Sequence, residues 1–325
     1  MAFTRRKVLQ SGALAAAFPA RAQAYPSKPV KLIVPYPPGG PYDAIPRIVA
    51  QYAAEKHGWQ VVVENRAGAS GLVGVMAAKA SPPDGYTLVV TSSSTHGSAP
   101  ALKSNLPYDP HKDLAPVTLF ADAFLVALVR QELPAKTIAE LVALIRAKPG
   151  TLNYASGGYA SQHHLATAMM LQRSGLAQDA AKHVPFQGLA PALNALVAGH
   201  VEFMITSTGA ATQFIEKGEL RALAITAAQR SPRFPDVPTM AEQGFPGYQV
   251  FAWCGLAAPA GTPDAVIARW NAMVNEAMAD PGVARKIANQ DYEPRGGTTA
   301  AYVEYFSKDI EQYRRLVEAT GLRDD

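Results

Sequence analysis

Short apolar runs rich in Val, Ile and Leu alternate with amphipathic, helix-like segments along most of this chain. That alternation restricts the fold to parallel α/β architecture. Residues 30–34 read as a strand, 43–57 as a helix, 61–64 as a second strand, 70–80 as a small-residue helix and 86–91 as a third strand. Within the first helix Ile45, Ile48, Val49, Tyr52 and Ala53 recur at the spacing of one helix face. The pattern restarts after residue 125. Thr137-Ile-Ala-Glu140 is a capping box that opens a helix to Lys148, stopped by Pro149-Gly150. Strands follow at 153–155, 183–186, 201–205 and 220–226, with helices at 161–173 and 190–198. Thr262-Pro263 starts a further helix with a cap and an N1 proline. The last helix runs from about 299 to 320, carries Phe306, Ile310, Tyr313 and Val317 on one face, and ends at Gly321.

The apolar stretch 120–129 contains no glycine or proline and reads as one long strand passing between two domains; 248–258 reads as the return. The expected architecture is therefore two Rossmann-like α/β lobes joined by crossover strands. The first uses residues 25–122 plus 250–325 and the second uses 123–249. Ligands in open α/β sheets sit outside the carboxyl ends of the strands. Two facing lobes with two crossings form a hinged clamp.

Residues 1–24 read as a twin-arginine-type signal peptide. Arg5-Arg6-Lys7 precedes an Ala-rich apolar stretch, and Ala22-Gln23-Ala24 is a small-x-small cleavage site. The apolar stretch is too short to span a bilayer. Removal of Arg5, Arg6, Lys7 and Arg21 leaves 26 cationic against 26 acidic residues. No broad basic face results, so nucleic acid and anionic membranes are not expected partners. The remaining ~300 residues suffice for two ordinary domains. The single cysteine, Cys254, cannot form an internal disulfide and lies in an apolar run as a small buried filler.

Four polar segments, three of them glycine-bearing, follow predicted strands. The first, Tyr36-Pro-Pro38-Gly39-Gly40-Pro-Tyr42-Asp43, joins strand to helix, with Asp43 read as the helix-capping residue. Its backbone N–H groups and the helix dipole suit an anion. The second, Thr91-Ser92-Ser93-Ser94-Thr95-His96, offers five hydroxyl residues as uncharged donors. The third, Ser156-Gly157-Gly158-Tyr159-Ala-Ser161, mirrors the first in the other lobe, with His163 shortly after it as a further donor. The fourth is Thr206-Ser207-Thr-Gly209. Together they aim helix amino ends and hydroxyls at one cleft.

Enzyme motifs are absent. Gly-x-Gly-x-x-Gly, the P-loop, the Gly-x-Ser-x-Gly elbow and His-Glu-x-x-His do not occur. His163 and His164 are adjacent, so on a helix they point about 100° apart and make a poor metal pair. No cofactor, metal or catalytic residue is expected.

Ordered motifs run the whole length after residue 24: Tyr25-Pro-Ser-Lys-Pro29, Val34-Pro-Tyr-Pro-Pro-Gly-Gly-Pro-Tyr-Asp43, Val61-Val-Val-Glu-Asn-Arg66 with Gly68, Gly71 and Gly74, and Pro83-Asp-Gly-Tyr-Thr-Leu88. Asn153-Tyr-Ala-Ser156, His164-Leu165, His183-Val-Pro-Phe-Gln-Gly188, Ala190-Pro-Ala-Leu193, Arg221-Ala-Leu-Ala224, Arg230-Ser-Pro232, Pro235-Asp-Val-Pro-Thr239 and Ala258-Pro-Ala-Gly-Thr-Pro263 complete the series. Through these motifs the chain resembles the Bug-type periplasmic solute-binding receptors of tripartite tricarboxylate transporters. The resemblance implies a Venus-flytrap fold and periplasmic localisation. It also implies an organic acid held by the first loop, the hydroxyl segment and residues 156–161, largely through backbone amides and ordered water.

Two departures bear on the ligand. Tyr42 stands where such receptors often have a small hydroxyl residue, and Ile205-Thr206-Ser207 replaces a frequent Phe-Asp pair. Without that acid an amino-acid ligand is disfavoured. Tyr42, Tyr159 and Phe186 supply aromatic walls, so a dicarboxylate or an aromatic carboxylate is expected. The expected partners are a small-molecule carboxylate and transporter membrane subunits, with a sensor kinase as an alternative, for a monomeric receptor. A secreted hydrolase would need Ser161, or one of Ser92, Ser93 and Ser94, activated by His96 or His163.

Overall fold

The computed structural model describes residues 25–186 and 188–323; the expected signal peptide, 1–24, lies outside them. Strand β1 (Val30–Val34) is buried at four of five positions, as the centre of a parallel sheet requires. Helix α1 (Pro41–His57) follows and stops at Gly58, whose φ of 67° needs no Cβ-bearing residue to be strained. Strand β2 (Val61–Asn65), a 3₁₀ turn (Ala69–Gly71), helix α2 (Leu72–Lys79) and strand β3 (Thr87–Ser92) complete the first unit. A π-helical turn (Ser93–Ser98) and the short α3 (Ala99–Leu102) lead into β4 (Leu114–Arg130), 17 residues long. The second unit contains α4 (Ile138–Ala147), β5 (Asn153–Ser156), α5 (Gln162–Arg173), β6 (Lys182–Pro185), α6 (Leu189–Val197), β7 (Phe203–Ser207), α7 (Thr208–Glu216) and β8 (Leu220–Ile225). The chain returns through β9 (Phe251–Pro259), then α8 (Asp264–Ala279), α9 (Pro281–Ala288), β10 (Glu293–Gly296) and α10 (Thr299–Thr320).

The sheet order is β2-β1-β3-β9-β4-β7-β5-β6, with β8 and β10 also on β4. In each lobe three strands are parallel: β2, β1 and β3 in one, β6, β5 and β7 in the other. The two crossover strands lie at the inner edges of these parallel sets. There β9 and β4 run antiparallel to their neighbours, because these strands leave one lobe and come back. Leu114 to Phe124 of β4 pairs with β9, whereas Leu125 to Arg130 pairs with β7 and β8. One strand thus belongs to both sheets. At the change-over Thr226 is fully buried. Its Oγ1 accepts from the Leu125 N–H (2.8 Å) and donates to the Val250 carbonyl (2.6 Å), tying the outgoing and returning chains together.

Helix α10 buries Tyr302, Phe306, Ile310, Tyr313, Leu316 and Val317, and it packs on the Ser93–Ser98 turn, α3 and β4. Each such large side chain contributes about 1.5–3 kcal/mol on burial, so this stripe holds the C-terminal helix beneath the hydroxyl segment. Two local expectations are corrected. Gly40, not Asp43, is the N-cap of α1, and Asp43 is its third residue. Pro263 occupies the N-cap of α8 rather than N1, because the Thr262 hydroxyl donates to the Pro259 carbonyl instead of capping the helix.

Candidate functional site

The loop after β1 is organised by Asp43. Its carboxylate accepts from the Gly39 N–H (3.1 Å), Arg47 Nε (3.0 Å) and Asn65 Nδ2 (2.8 Å). Burial pushes its pKa up, but the bonds from Arg47, Asn65 and Gly39 outweigh that and hold it below the usual carboxylate range. One donor expected for an anion, the Gly39 N–H, is therefore consumed inside the loop. Pro38 and Gly39 are exposed, and Gly39, at φ 99°, sits where a side chain would be strained. Gly40 turns both the Asp43 and Ala44 N–H groups onto its own carbonyl.

In the hydroxyl segment, Ser92 caps the π-helical turn. Its Oγ accepts from the Thr95 N–H, and the Thr95 hydroxyl accepts from the Ser92 N–H. The Tyr36 hydroxyl bonds to Ser92 Oγ, and the Tyr36 ring packs on Tyr42, tilted by 30° with centroids 4.7 Å apart. Ser93 is buried and reaches across the molecule, its Oγ donating to Gln162 Oε1 and meeting the Tyr42 hydroxyl at 3.2 Å. Ser94 is half-buried. Beneath this turn Gly97 packs against the Asp309 carboxylate, which accepts from Trp253 Nε1 at 2.9 Å.

The mirrored loop of the second lobe is anchored rather than open. Ser156 Oγ donates to the Gly158 carbonyl (2.8 Å) and meets His183 Nε2 (2.7 Å). The His183 ring lies flat on His164, 3.9 Å away at 2°, and His164 Nδ1 accepts from the Ala160 N–H. Burial holds the pKa of His164 down to about 3 and that of His183 to about 4, so both rings are neutral. Gly157 packs against Leu189. Tyr159 is 54% exposed and covers His164 from outside. Ser161 caps α5 and donates its hydroxyl to the Gly158 carbonyl. Neither ring nitrogen of His163 has a hydrogen-bond partner, so the Ser161–His163 pair required by a hydrolase is not formed.

Between the lobes lies a cavity of about 380 Å³. Its walls come from the amino ends of four helices: Pro41 and Tyr42 of α1, Gln162 and His163 of α5, Leu189 of α6, and Gly209 and Ala210 of α7. Each helix start carries roughly half a positive charge. Gly40 and Gly188 have no side chain to cap α1 or α6, and the Ser207 hydroxyl does not cap α7, so no N-cap side chain takes up the first N–H groups of these three helices. Neither lysine nor arginine is among the described lining residues. The remaining wall is Ser207, Ala252, Asn289, Gln290, Asp291 and Tyr292.

Of the expected site residues, the fold brings Tyr42, His163 and Ser207 to this cavity, with Ser93 and Tyr36 behind the Tyr42 ring. It spends Asp43, Ser92, Ser156 and Ser161 on shaping loops. Thr206 is buried with an unpartnered hydroxyl, one residue before Ser207. Gln162 also lines it, and its signal in the sequence is its place as the first residue of α5 after the Ser161 cap. Ala252, Asp291 and Tyr292 come from the returning chain, and no local pattern marks them. Asp291 adopts φ 57° and is ion-paired to Arg233 of the second lobe; burial raises its pKa, Arg233 opposes this and Glu216 adds to it.

Comparison with known proteins gives the same architecture a lineage. The chain is 36% identical over 308 residues to Protein BugT of Bordetella pertussis, covering 94% of each chain. The structure of Rpa4515 from R. palustris with adipate superposes with a TM-score of 0.80 at 30% identity, covering 92% of this chain and 99% of that one. MatC from Rhodopseudomonas palustris with bound malate gives 0.77 at 32% identity, covering 90% and 100%. Residues 45–322 match the Tripartite tricarboxylate transporter family receptor, TctC. The chain, a two-lobed α/β clamp with a helix-ended cleft, belongs to this family of solute-binding receptors.

Proposed function

We propose that this receptor captures a small organic acid in the periplasm, closes over it, and presents it to the membrane subunits of a tripartite tricarboxylate transporter. The ligand class is a dicarboxylate or an aromatic carboxylate. The observation that carries this reading is the interlobe cavity itself, where four helix amino ends meet without a lysine or arginine in the described wall. Such a site holds an anion by oriented backbone dipoles and placed hydroxyls. The adipate and malate on two relatives support the same chemistry.

In this reading the protein acts as a monomer and performs no chemistry on its ligand. The lobes divide at residues 123 and 249, beside the Thr226 tie. Closure matters because only ligand-dependent stabilisation of one conformation lets a transporter distinguish loaded from empty receptor. Among the described residues no helix is long and apolar enough to cross a membrane, and the leader-like residues 1–24 support export.

Calorimetric titration of the protein lacking residues 1–24 with succinate, adipate, terephthalate, benzoate, aspartate and glutamate tests the proposal. Binding restricted to the last two, or absent throughout, would overturn it. Gly40→Val tests the first loop separately. A Cβ there meets nothing within 4 Å, so the variant is expected to fold, and unchanged affinity in the folded variant would remove that loop from the site.

A further inference from the structure

Among the described lining residues one is acidic, Asp291, and its placement is unusual. It projects from the returning chain of the first lobe and stands against Gly209 in the first turn of α7, where a Cβ on the glycine would lie 2.9 Å from Asp291 Oδ2. It keeps a left-handed backbone, φ 57°, a conformation that costs most residues strain and that Asp and Asn tolerate. The Arg233 guanidinium, half-exposed and outside the lining, pairs with it. A carboxylate therefore already stands at one of the four positive helix ends.

A second observation concerns an unpartnered polar side chain in the same wall. Four imidazoles are held neutral by burial: His96, His163, His164 and His183. Three of them have a hydrogen-bond partner on at least one ring nitrogen. His163 has none, although it is only 8% exposed and lines the cavity. A neutral ring always carries one N–H donor, and beside it stands the amino end of α5. The same wall carries the rings of Tyr42 and Tyr292 and the apolar Leu189, Ala210 and Ala252, beside the uncharged polar Gln162, Ser207, Asn289 and Gln290.

Resting on the receptor reading above, we propose that the cleft selects an aromatic monocarboxylate over dicarboxylates, with the carboxylate at His163 and the α5 amino end, the ring against Tyr42 and Tyr292, and Asp291 excluding a second carboxylate. A dianion would bring two charges into a cavity with no cationic side chain in its described wall, and one of them would face Asp291. Like charges within several ångströms in a poorly hydrated site repel strongly. Arg233 offsets this only in part. The relatives that hold adipate and malate show what the family accommodates, not what this wall prefers.

The test compares benzoate, phenylacetate and 4-hydroxybenzoate with succinate, malate and adipate by titration calorimetry at pH 8. The native protein is measured beside Asp291→Asn and His163→Leu. Asparagine keeps the left-handed backbone, and thermal melts report whether each variant is folded. The native protein is expected to bind its best aromatic monocarboxylate about tenfold or more tighter than any dicarboxylate. Asp291→Asn should raise dicarboxylate affinity by about three- to tenfold more than aromatic affinity. His163→Leu should weaken both classes. Tighter binding of a dicarboxylate by the native protein, or an equal effect of Asp291→Asn on both classes, overturns the inference and leaves the receptor reading standing. Failure of every acid to bind removes both.

Discussion

Gln162 Nε2 donates to the Tyr42 hydroxyl at 3.3 Å while its Oε1 accepts from Ser93 Oγ, so one amide on α5 holds two hydroxyls of the opposite lobe. These bonds cross the cleft and exist only when the lobes face each other closely. Gln162→Leu removes them while keeping the side chain's bulk. Two neutral bonds at about 0.5–1.5 kcal/mol each come to about 1–3 kcal/mol, so carboxylate affinity should fall by roughly five- to 150-fold. The thermal midpoint of the empty protein should change little. Titration calorimetry and small-angle scattering check this; native affinity with native closure would show that the amide does not fasten the lobes.

Arg233 keeps the Asp291 charge compensated at the cavity mouth. Arg233→Ala leaves that carboxylate unpaired beside a bound anion. Exposed ion pairs contribute little to stability, so the melt should be near native, whereas anion affinity should drop by about three- to tenfold. The loss should shrink as salt is raised from 20 to 300 mM, conditions in which screening lengthens or shortens the reach of charge. A loss of equal size at both salt concentrations would point to altered packing instead.

Thr226 ties β4 to the strand that returns beside it. Thr226→Val keeps the shape but leaves the buried Leu125 N–H and Val250 carbonyl without the bonds they make to its hydroxyl. Destabilisation of about 1–3 kcal/mol is expected, measured by urea unfolding. If the hydroxyl is merely incidental to the hinge, the denaturation midpoint will stay where it was.

Stability should rise with pH between about 4 and 6.5. Burial lowers the pKa of His96, His163, His164 and His183 to about 3 or 4, so in this window the unfolded chain binds protons that the folded one refuses. Their contribution is full above pH 6.5 and disappears as acidity approaches the folded values. Asp309 works in the opposite sense. Burial raises its pKa to about 7, so the fold holds a proton that the unfolded chain releases, and its contribution fades as pH rises toward 7. Burial raises the pKa of Asp122 and Asp291 in the same opposing sense, and the four imidazoles outweigh these acids. Asp309→Asn should therefore steepen the rise by about one proton. Urea titrations from pH 4 to 8 give the slopes, and a flat profile in the native protein would contradict the assignment.

How much was legible in advance follows from what each signal encodes. The strand at Val30–Val34 and the helix at Thr299–Thr320 were readable because periodicity reports which face a segment buries. The long β4 was readable because a run without glycine or proline has nowhere to turn. Its antiparallel direction was not, since an apolar run looks the same from either end. The π-helical turn at Ser93–Ser98 was also hidden: its consecutive hydroxyls suit a loop, and only packing on α10 through Gly97 and Asp309 bends them into a turn.

At the cleft, the order of residues by itself determined that Tyr42 and His163 would stand at helix starts beyond strand ends, because local spacing places a first-turn residue there; Ser207 was legible only as a hydroxyl after a strand, since no helical spacing marked Thr208–Glu216. Tertiary structure alone decided that Asp291, Tyr292 and Ala252 would join them, and that the Gly39 N–H would turn to Asp43 instead of outward. Those outcomes depend on where a returning chain crosses a sheet built some 200 residues earlier. Short-range patterns carry no information about that meeting.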